Sequence, residues 1–529
     1  MSKKRVAIIG AGSSGLTSIK QCLADDLEPV CFEATDDIGG LWNYTEVTEE
    51  NKDPHSSICR STIINTSKET MSYSDFPIPN DWPTYMHGRF VKKYFDLYAD
   101  HFNLKQYIKF NTTVTHASIL PDKRWSVSHI NNETGEKSEE FDFVLVCIGH
   151  HRYPRLPKFE GMDVFKGKQM HSHFYRSPEE FANKRVIVVG VVELSQSASE
   201  VYLVSRRGTL PWILPRFVSG EPVDHLLSRF NMVILPDFVK DILFKLIFYI
   251  SFGSYPDGLK PETHPFSNHP TVKSDLFERL KTGTLFVKPN IIKIKDDNSV
   301  LFNDGSIVEN VDAIVYCTGY DYRFPFLDKE ILTGGKEIEE LFEEEFRTNL
   351  VWLYKDMFPP NIPNIAFISL MQANGALFPI GELQARYITA LINGNVPPLP
   401  SAEVMNKDVC RNLAKIKKEF NLSGRHTIEC DTLIYCDDLA KQLDCMPTHM
   451  KIIWKFGLKV WWKVVFGIPI SAQYRLLGRQ SWDGATKVIL DCNCRITITK
   501  PSKSLEEEII REKAKRILQN RYGFSEDQS

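Results

Sequence analysis

Three glycines near the start of the chain have the spacing of a phosphate-binding turn. In GAGSSG, Gly10, Gly12 and Gly15 follow the apolar run Val6 to Ile9 directly and precede a helical pattern from Leu16. The first glycine permits a tight turn. The second lets backbone amides, with those of Ala11, Ser13 and Ser14 beside it, approach a pyrophosphate at a helix N-terminus, and the third allows close helix packing. Glu33 ends the strand-like PVCFE, where an acid accepts hydrogen bonds from ribose hydroxyls. The glycine spacing alone also suits a structural turn; strand, helix and acid together specify a dinucleotide site. Gly39, Gly40, Leu41 and Trp42 then form a close-approach turn ending in a large aromatic, a pattern that by itself is more often structural.

Other residue types offer polar chemistry without a metal. Asn65 and Thr66 open NTSKETMSYSDFP, and an amide there supplies a donor and an acceptor without titrating, although a turn asparagine reads the same way. Ser205, Arg206 and Arg207 follow VYLV, where a 2′-phosphate would be gripped. Thr318 and Gly319 follow a strand-like run, at the kind of strand end that meets ligands in doubly wound folds. Gln372 precedes Glu382 and Arg386, which have the i, i+4 spacing of a helix pair. His171 reads as a hydrogen-bonded structural histidine. The eleven cysteines form no even framework, and Cys492 and Cys494 lack the second pair a zinc site would need, so no metal is expected. A disulfide reductase is opposed by the absence of a CxxC pair.

The elements that must position these groups fall into two βαβ runs, one from Arg5 and one from Arg185, the second ending near Ala313 to Cys317. Loop-like residues 152–165 mark a junction between them. The 529 residues suit about three domains. Lys+Arg 64 against Asp+Glu 67, a net charge of −3, opposes nucleic-acid binding driven by positive charge. The N-terminus enters the glycine motif without a secretory pattern, so the sequons at Asn65, Asn111, Asn132 and Asn421 are expected to be unmodified. No run of 18 apolar residues is present. KIIWKFGLKVWWKVVFGI places Lys451, Lys455, Lys459 and Lys463 at i+4 steps, which fits either an interfacial membrane helix or a surface helix packed on its own protein.

FKGKQMHSHFY, with Phe165, Gly167, His171 and Tyr175, matches the FxGxxxHxxxY/F fingerprint, and the chain resembles the flavin-containing monooxygenases and their Baeyer–Villiger relatives. VCIGHHRYPRLP, HPTV and YCTGY are similar to further family segments, and the likeness is strongest to the vertebrate microsomal, dimethylaniline monooxygenase type. The resemblance implies an α/β protein with two dinucleotide-binding, Rossmann-like domains. FAD would lie in residues 1–160 and 318–440, NADPH in an inserted 161–317, and 441–529 would form a membrane-associated C-terminal region. It implies that NADPH reduces the flavin, that molecular oxygen forms a C4a-hydroperoxyflavin, and that a small molecule with a soft nitrogen or sulfur takes the distal oxygen. Asn65 would be the principal catalytic residue, Gly40 to Trp42 would pass the flavin, and Gln372 would neighbour it. The expected location is the cytosolic face of the endoplasmic reticulum membrane, with the cytoplasm as alternative; a homodimer is allowed.

Two departures qualify these expectations. After the strand VIVVG the second glycine turn is missing, and residues 191–200 separate Gly190 from Val201 where residues 11–28 separate Gly10 from Pro29. The shortfall of eight removes about two helical turns. An FAD-binding relative with lost or impaired NADPH use is therefore a second reading, and Baeyer–Villiger oxygenation a third. From Ser504 the tail is charged rather than apolar.

Overall fold

The computed structural model describes residues 3–190, 198–206, 208–262, 270–332, 349–419 and 427–492. Two five-stranded parallel sheets organise the chain. In the first, the spatial order is Ile365–Phe367, Phe143–Val146, Arg5–Ile9, Glu28–Phe32, Ile108–Lys109. Numbered along the chain this is 5-4-1-2-3, the doubly wound order in which ligands lie at the carboxyl ends of strands 1 and 4. The second sheet runs Leu285–Lys288, Glu200–Val204, Arg185–Val189, Ala313–Tyr316, Lys168–His171, and all of its strands fall in the chain between Val146 and Ile365.

Both faces of each sheet are covered, which explains why the central strands are apolar throughout rather than alternating. Val6 and Ile8 enter one core and Ala7 and Ile9 another. In the second sheet Val186 and Val188 divide from Ile187 and Val189 in the same way. The two turns also correspond. Gly10 has φ +98° and its amide donates to Phe32 O at 2.8 Å; Gly190 has φ +107° and donates to Val204 O at 3.2 Å. A Cβ on Gly10 would stand 2.9 Å from Cys147 O, and one on Gly190 2.7 Å from Cys317 O, so only glycine fits either turn.

Beyond the turns the two units diverge. A 12-residue helix, Ser13–Ala24, connects the strands of the first βα unit. In the second, residues 190–199 make the whole connection, yet Arg185–Val189 and Glu200–Val204 still pair in parallel from Arg185↔Glu200 to Val189↔Val204. The sheet therefore keeps its register despite a crossover at the lower limit of length. Residues 191–197, where the second and third glycines would stand, lie outside the described residues.

The two connections between the sheets run side by side. Tyr153–Pro154 pairs antiparallel with Tyr320–Asp321, and Arg155 Nε donates to Asp321 at 2.7 Å. His171 caps this junction: its Nε2 donates to Gly319 O at 3.0 Å while its Nδ1 accepts from His173 N at 3.1 Å. Burial pushes the imidazole down to about 4, so it is neutral and structural at neutral pH.

Behind the glycine-turn helix lies a buried ionic cluster. Arg475 pairs with Glu382 at 2.6 Å and Asp75 at 3.0 Å, and Lys20 pairs with Asp75 at 2.5 Å. Glu382 also accepts from Ser74 N and Ser74 Oγ at 2.6 and 2.7 Å. Burial opposes its charge, but Arg475, Lys20 and Arg386 outweigh that and hold the carboxyl well below its usual range. This corrects the expected helix pair: Glu382 turns to Arg475, and Arg386 instead donates to the carbonyls of Tyr474 and Arg479 at 3.2 and 3.1 Å. Tertiary partners with good hydrogen-bond geometry win over a neighbour one helical turn away.

No helix among the described residues is long and apolar enough to cross a membrane. The lysine-rich segment is helical over His449–Phe466 but breaks at Gly457, with φ 84° and ψ 171°. The four lysines consequently share no continuous helical face. Lys451 pairs with Asp444 at 3.1 Å and Lys463 donates to Cys492 O at 2.9 Å. Met450 and Trp454 before the break and Leu458, Trp462 and Phe466 after it are exposed, while Ile452, Val460 and Val464 pack inward. The helix Asp237–Phe252 carries an exposed apolar row, Phe238, Ile242, Leu246, Tyr249 and Ile250, with Phe244 and Phe248 buried beneath it. Phe230, which precedes that helix in the chain, meets the Phe466 ring at 5.1 Å.

Candidate active site

A cavity of about 2310 Å³ opens where the carboxyl ends of the first sheet face the second. Gly10, Gly12, Ser13, Ser14 and Glu33 line it from the first βα unit, and Gly40, Leu41 and Trp42 from the turn beyond. Asn65, Thr66, Gly319 and Gln372 complete the predicted residues on its wall. Ala11, Gly15 and Thr318 lie beneath that wall. Ala11 and Thr318 are buried, the latter bonded to Arg155 O, and a Cβ on Gly15 would stand 1.9 Å from Gly10 O. Gly15 is therefore required by helix packing.

Gly12 is different, and it tests whether a dinucleotide fits. Its φ is −75°, ordinary for any residue, and an added Cβ would meet nothing closer than Gly40 Cα at 3.7 Å. Nothing in the protein requires glycine there; a phosphate drawn against the backbone does. The helix that follows has no side-chain cap at its N-terminus, leaving its first-turn amides for an anion. Gly39 and Gly40, at φ +109° and +54°, bring a second turn onto Gly12, fixed by Gly39 N donating to Ala11 O at 3.0 Å.

Glu33 is held in place by neighbouring donors. Oε2 accepts from Ala11 N at 2.6 Å, and Oε1 from the Thr35 amide and hydroxyl at 2.9 and 2.8 Å. Its carboxylate is thereby fixed at the end of Glu28–Phe32, on the cavity wall.

Asn65 projects from an exposed position on the loop before the short helix Lys68–Met71. Arg216 Nη2 lies 3.2 Å from its Oδ1 and also reaches Ile63 O at 3.4 Å. A guanidinium can only donate, so this contact turns the amide oxygen toward Arg216.

The second predicted group is less assembled. Ser205 and Arg206 stand at the carboxyl end of Glu200–Val204 but outside the cavity wall. Arg206 is exposed, and Ser205 Oγ is buried without a hydrogen-bond partner among the described residues. A lone buried hydroxyl at that strand end suits a phosphate oxygen. Arg207 lies outside the described residues. No cluster of three or more metal-ligating side chains exists among the described residues.

Arg216 and Asp224 also belong to the site, and nothing in the sequence pointed to either. Pro215, Gly220 and Pro222 mark their segment as turns, but its target lies 151 residues earlier.

Comparison with known proteins agrees with this geometry. The family model described as flavin-binding monooxygenase-like matches residues 3–521. Flavin-containing monooxygenase 5 of Oryctolagus cuniculus is 40% identical over 517 residues, covering 94% of this chain and 93% of its own. Flavin-containing monooxygenase 2 of Homo sapiens is 35% identical over 525 residues, with 95% and 94% covered. Among solved structures, S-allyl-L-cysteine S-oxygenase from Allium sativum superposes with TM-score 0.62 at 25% identity, covering 83% of this chain and 88% of that one. An NADP+-bound cyclohexanone monooxygenase from Rhodococcus shares the fold, with TM-score 0.56 at 18% identity over 83% and 97% of the chains. A match this long, on a cavity shaped for a dinucleotide at the first glycine turn, means that the chain belongs to the flavin-binding monooxygenase-like family and is a flavin-dependent monooxygenase whose cofactors are FAD and NADPH.

Proposed function

We propose that the chain oxygenates soft nucleophilic nitrogen or sulfur centres of small molecules, using NADPH and molecular oxygen. The observation that carries this reading is Asn65 on the cavity wall with its amide orientation fixed by Arg216. Bound FAD, reduced by NADPH, supplies the activation of oxygen. The protein has three tasks. The first glycine turn and Glu33 bind and orient the dinucleotide; the apolar walls, with Met371, Phe378 and Phe244 among them, exclude water. Asn65 Nδ2 donates a hydrogen bond to the reacting oxygen without being able to protonate it, since an amide does not titrate. No acid, base or metal is needed when the oxidant is prepared in advance of a nucleophilic substrate.

In this reading the second sheet holds NADPH, supported by the orphaned Ser205 hydroxyl at its strand end. Reading the chain as a relative with impaired NADPH use is favoured by the ten-residue crossover 190–199. We place the protein on the cytosolic face of the endoplasmic reticulum membrane, held by the exposed apolar side chains of Asp237–Phe252 and His449–Phe466.

The test supplies FAD-loaded protein with NADPH, oxygen and either a tertiary amine or a thioether, and looks for N-oxide or S-oxide. Conversion of a cyclic ketone to its lactone with neither oxide formed would replace this reading by Baeyer–Villiger oxygenation. Asn65→Leu should retain FAD and divert the consumed oxygen to hydrogen peroxide.

A further inference from the structure

The Asn65 side chain is exposed and meets Arg216, and its place depends further on the backbone either side of it. Ile64 N donates to Met86 O at 2.9 Å and Lys68 N to Thr84 O at 2.8 Å, both close in the chain. Between these anchors the Ser67 amide has a distant partner: it donates to Asp224 Oδ2 at 2.7 Å. Ser67 precedes the helix Lys68–Met71, and its side chain provides no cap there. Thr70 Oγ1 donates to the same Asp224 oxygen at 2.8 Å, and Tyr85 OH lies 3.3 Å from Oδ1 while donating to Arg216 O at 2.7 Å. One carboxylate oxygen thus accepts from two residues on the C-terminal side of Asn65.

Asp224 lies on a strap that leaves the second sheet and crosses to the first. The strap comprises Ile213–Leu214, the hairpin Phe217–Val218 and Glu221–Pro222, and the turn Val223–Leu226. Beside Asp224, His225 lies 3.2 Å from Glu69. The far end is fastened where Arg229 donates to both Asp437 oxygens at 2.6 Å and to Gln473 at 2.9 Å, all within the protein interior. From this geometry we infer that Asp224 is a positioning residue for the oxygenation step: through Ser67 and Thr70 it holds the Asn65 loop, and so makes the placement of Asn65 depend on the docking of the strap from the second sheet.

This rests on the role given above to Asn65, and the experiment separates the two. Asp224→Ala, Asp224→Asn, Asn65→Leu and the double variant Asp224→Ala/Asn65→Leu are prepared as FAD-loaded full-length protein. Deuterium exchange over residues 63–71 is followed without NADPH. Hydrogen peroxide release is then timed after the flavin is reduced with light and mixed with oxygen, so neither NADPH nor substrate enters the readout. Asp224→Ala should keep its FAD, lose exchange protection at Ser67 and release peroxide about tenfold faster, the scale of a sub-ångström misplacement. Asp224→Asn, which retains an acceptor oxygen of the same reach, should be intermediate. In the Asn65→Leu background the alanine change should add nothing, because Asp224 acts through Asn65.

Unchanged exchange at Ser67 in Asp224→Ala, or a peroxide effect that persists in full without Asn65, would overturn the assignment. If Asn65→Leu releases peroxide at the parent's rate, the role of Asn65 falls and this inference with it. If Asn65→Leu is fast and Asp224→Ala is not, only the inference about Asp224 fails.

Discussion

At the scale of single residues, the three glycines of the first turn do three separable jobs, and substitution distinguishes them. Gly12→Ala should fold with a stability loss of no more than about 1 kcal/mol, the cost of a poorer helix N-cap, and should bind FAD weakly. Gly15→Ala should destabilise the protein by about 3 kcal/mol, since its Cβ would stand 1.9 Å from Gly10 O and the helix must move. Thermal unfolding with and without added FAD reads both. Stoichiometric FAD in Gly12→Ala would mean that no phosphate lies against that backbone.

At the scale of elements, two features carry the energetics. Glu382 is 1% exposed and joins the helix Leu377–Ile392 to Arg475 and to the loop at Ser74. Glu382→Gln would leave three buried cations, Lys20, Arg386 and Arg475, facing Asp75 alone. The expected loss is about 3 kcal/mol, the cost of an uncompensated buried charge, seen as a lowered midpoint of thermal unfolding. An unchanged midpoint would show that Asp75 suffices. The second element is the shortened crossover. In the proposed reading Ser205 and Arg206 meet a 2′-phosphate, while the ten residues 190–199 are fewer than the 12 of the helix that presents its N-terminus at the first turn. NADPH should therefore reduce the flavin about a hundredfold more slowly than in a variant with a GNSG-type turn and eight residues restored after Val191, the penalty for misplacing the donor ring by about 1 Å. Anaerobic bleaching of the flavin in the two proteins decides this, and equal rates would show that the crossover as it stands already holds NADPH.

At the scale of the whole molecule, the helices Asp237–Phe252 and His449–Phe466 each carry exposed apolar side chains. Trp454 is 83% and Leu458 66% exposed, and burying such a side chain in a membrane interface is worth about 2 kcal/mol. Trp454→Ser and Leu458→Ser should each lower partitioning into anionic vesicles about thirtyfold. Changing Lys451, Lys455, Lys459 and Lys463 to Glu should also weaken binding, with each lysine contributing about 1 kcal/mol near an anionic surface. Co-sedimentation with vesicles measures both effects. Binding that survives both sets of changes would move the contact to another surface.

Chemistry encoded by neighbours in the chain was legible in the order of residues alone. The turn at GAGSSG and the strand ending before Glu33 could be read from neighbours alone, because strand, turn and helix follow one another directly in the chain. The apolar runs around Val6 and Val186 likewise read as strands of βαβ runs, and the fold buries them on both faces. What lay far apart in the chain was decided by the fold. The i, i+4 spacing of Glu382 and Arg386 suggested a pair, and the fold gave each a different partner. Four lysines at i+4 steps suggested one face, and the backbone at Gly457 broke it. Asp224 meets Ser67 across 157 residues, a contact with no local signature in either segment. Local spacing specifies local geometry because the helix and strand periods are set by the backbone itself. Which distant side chain completes a site depends on how the sheets pack, and that is settled only when the whole chain buries its cores.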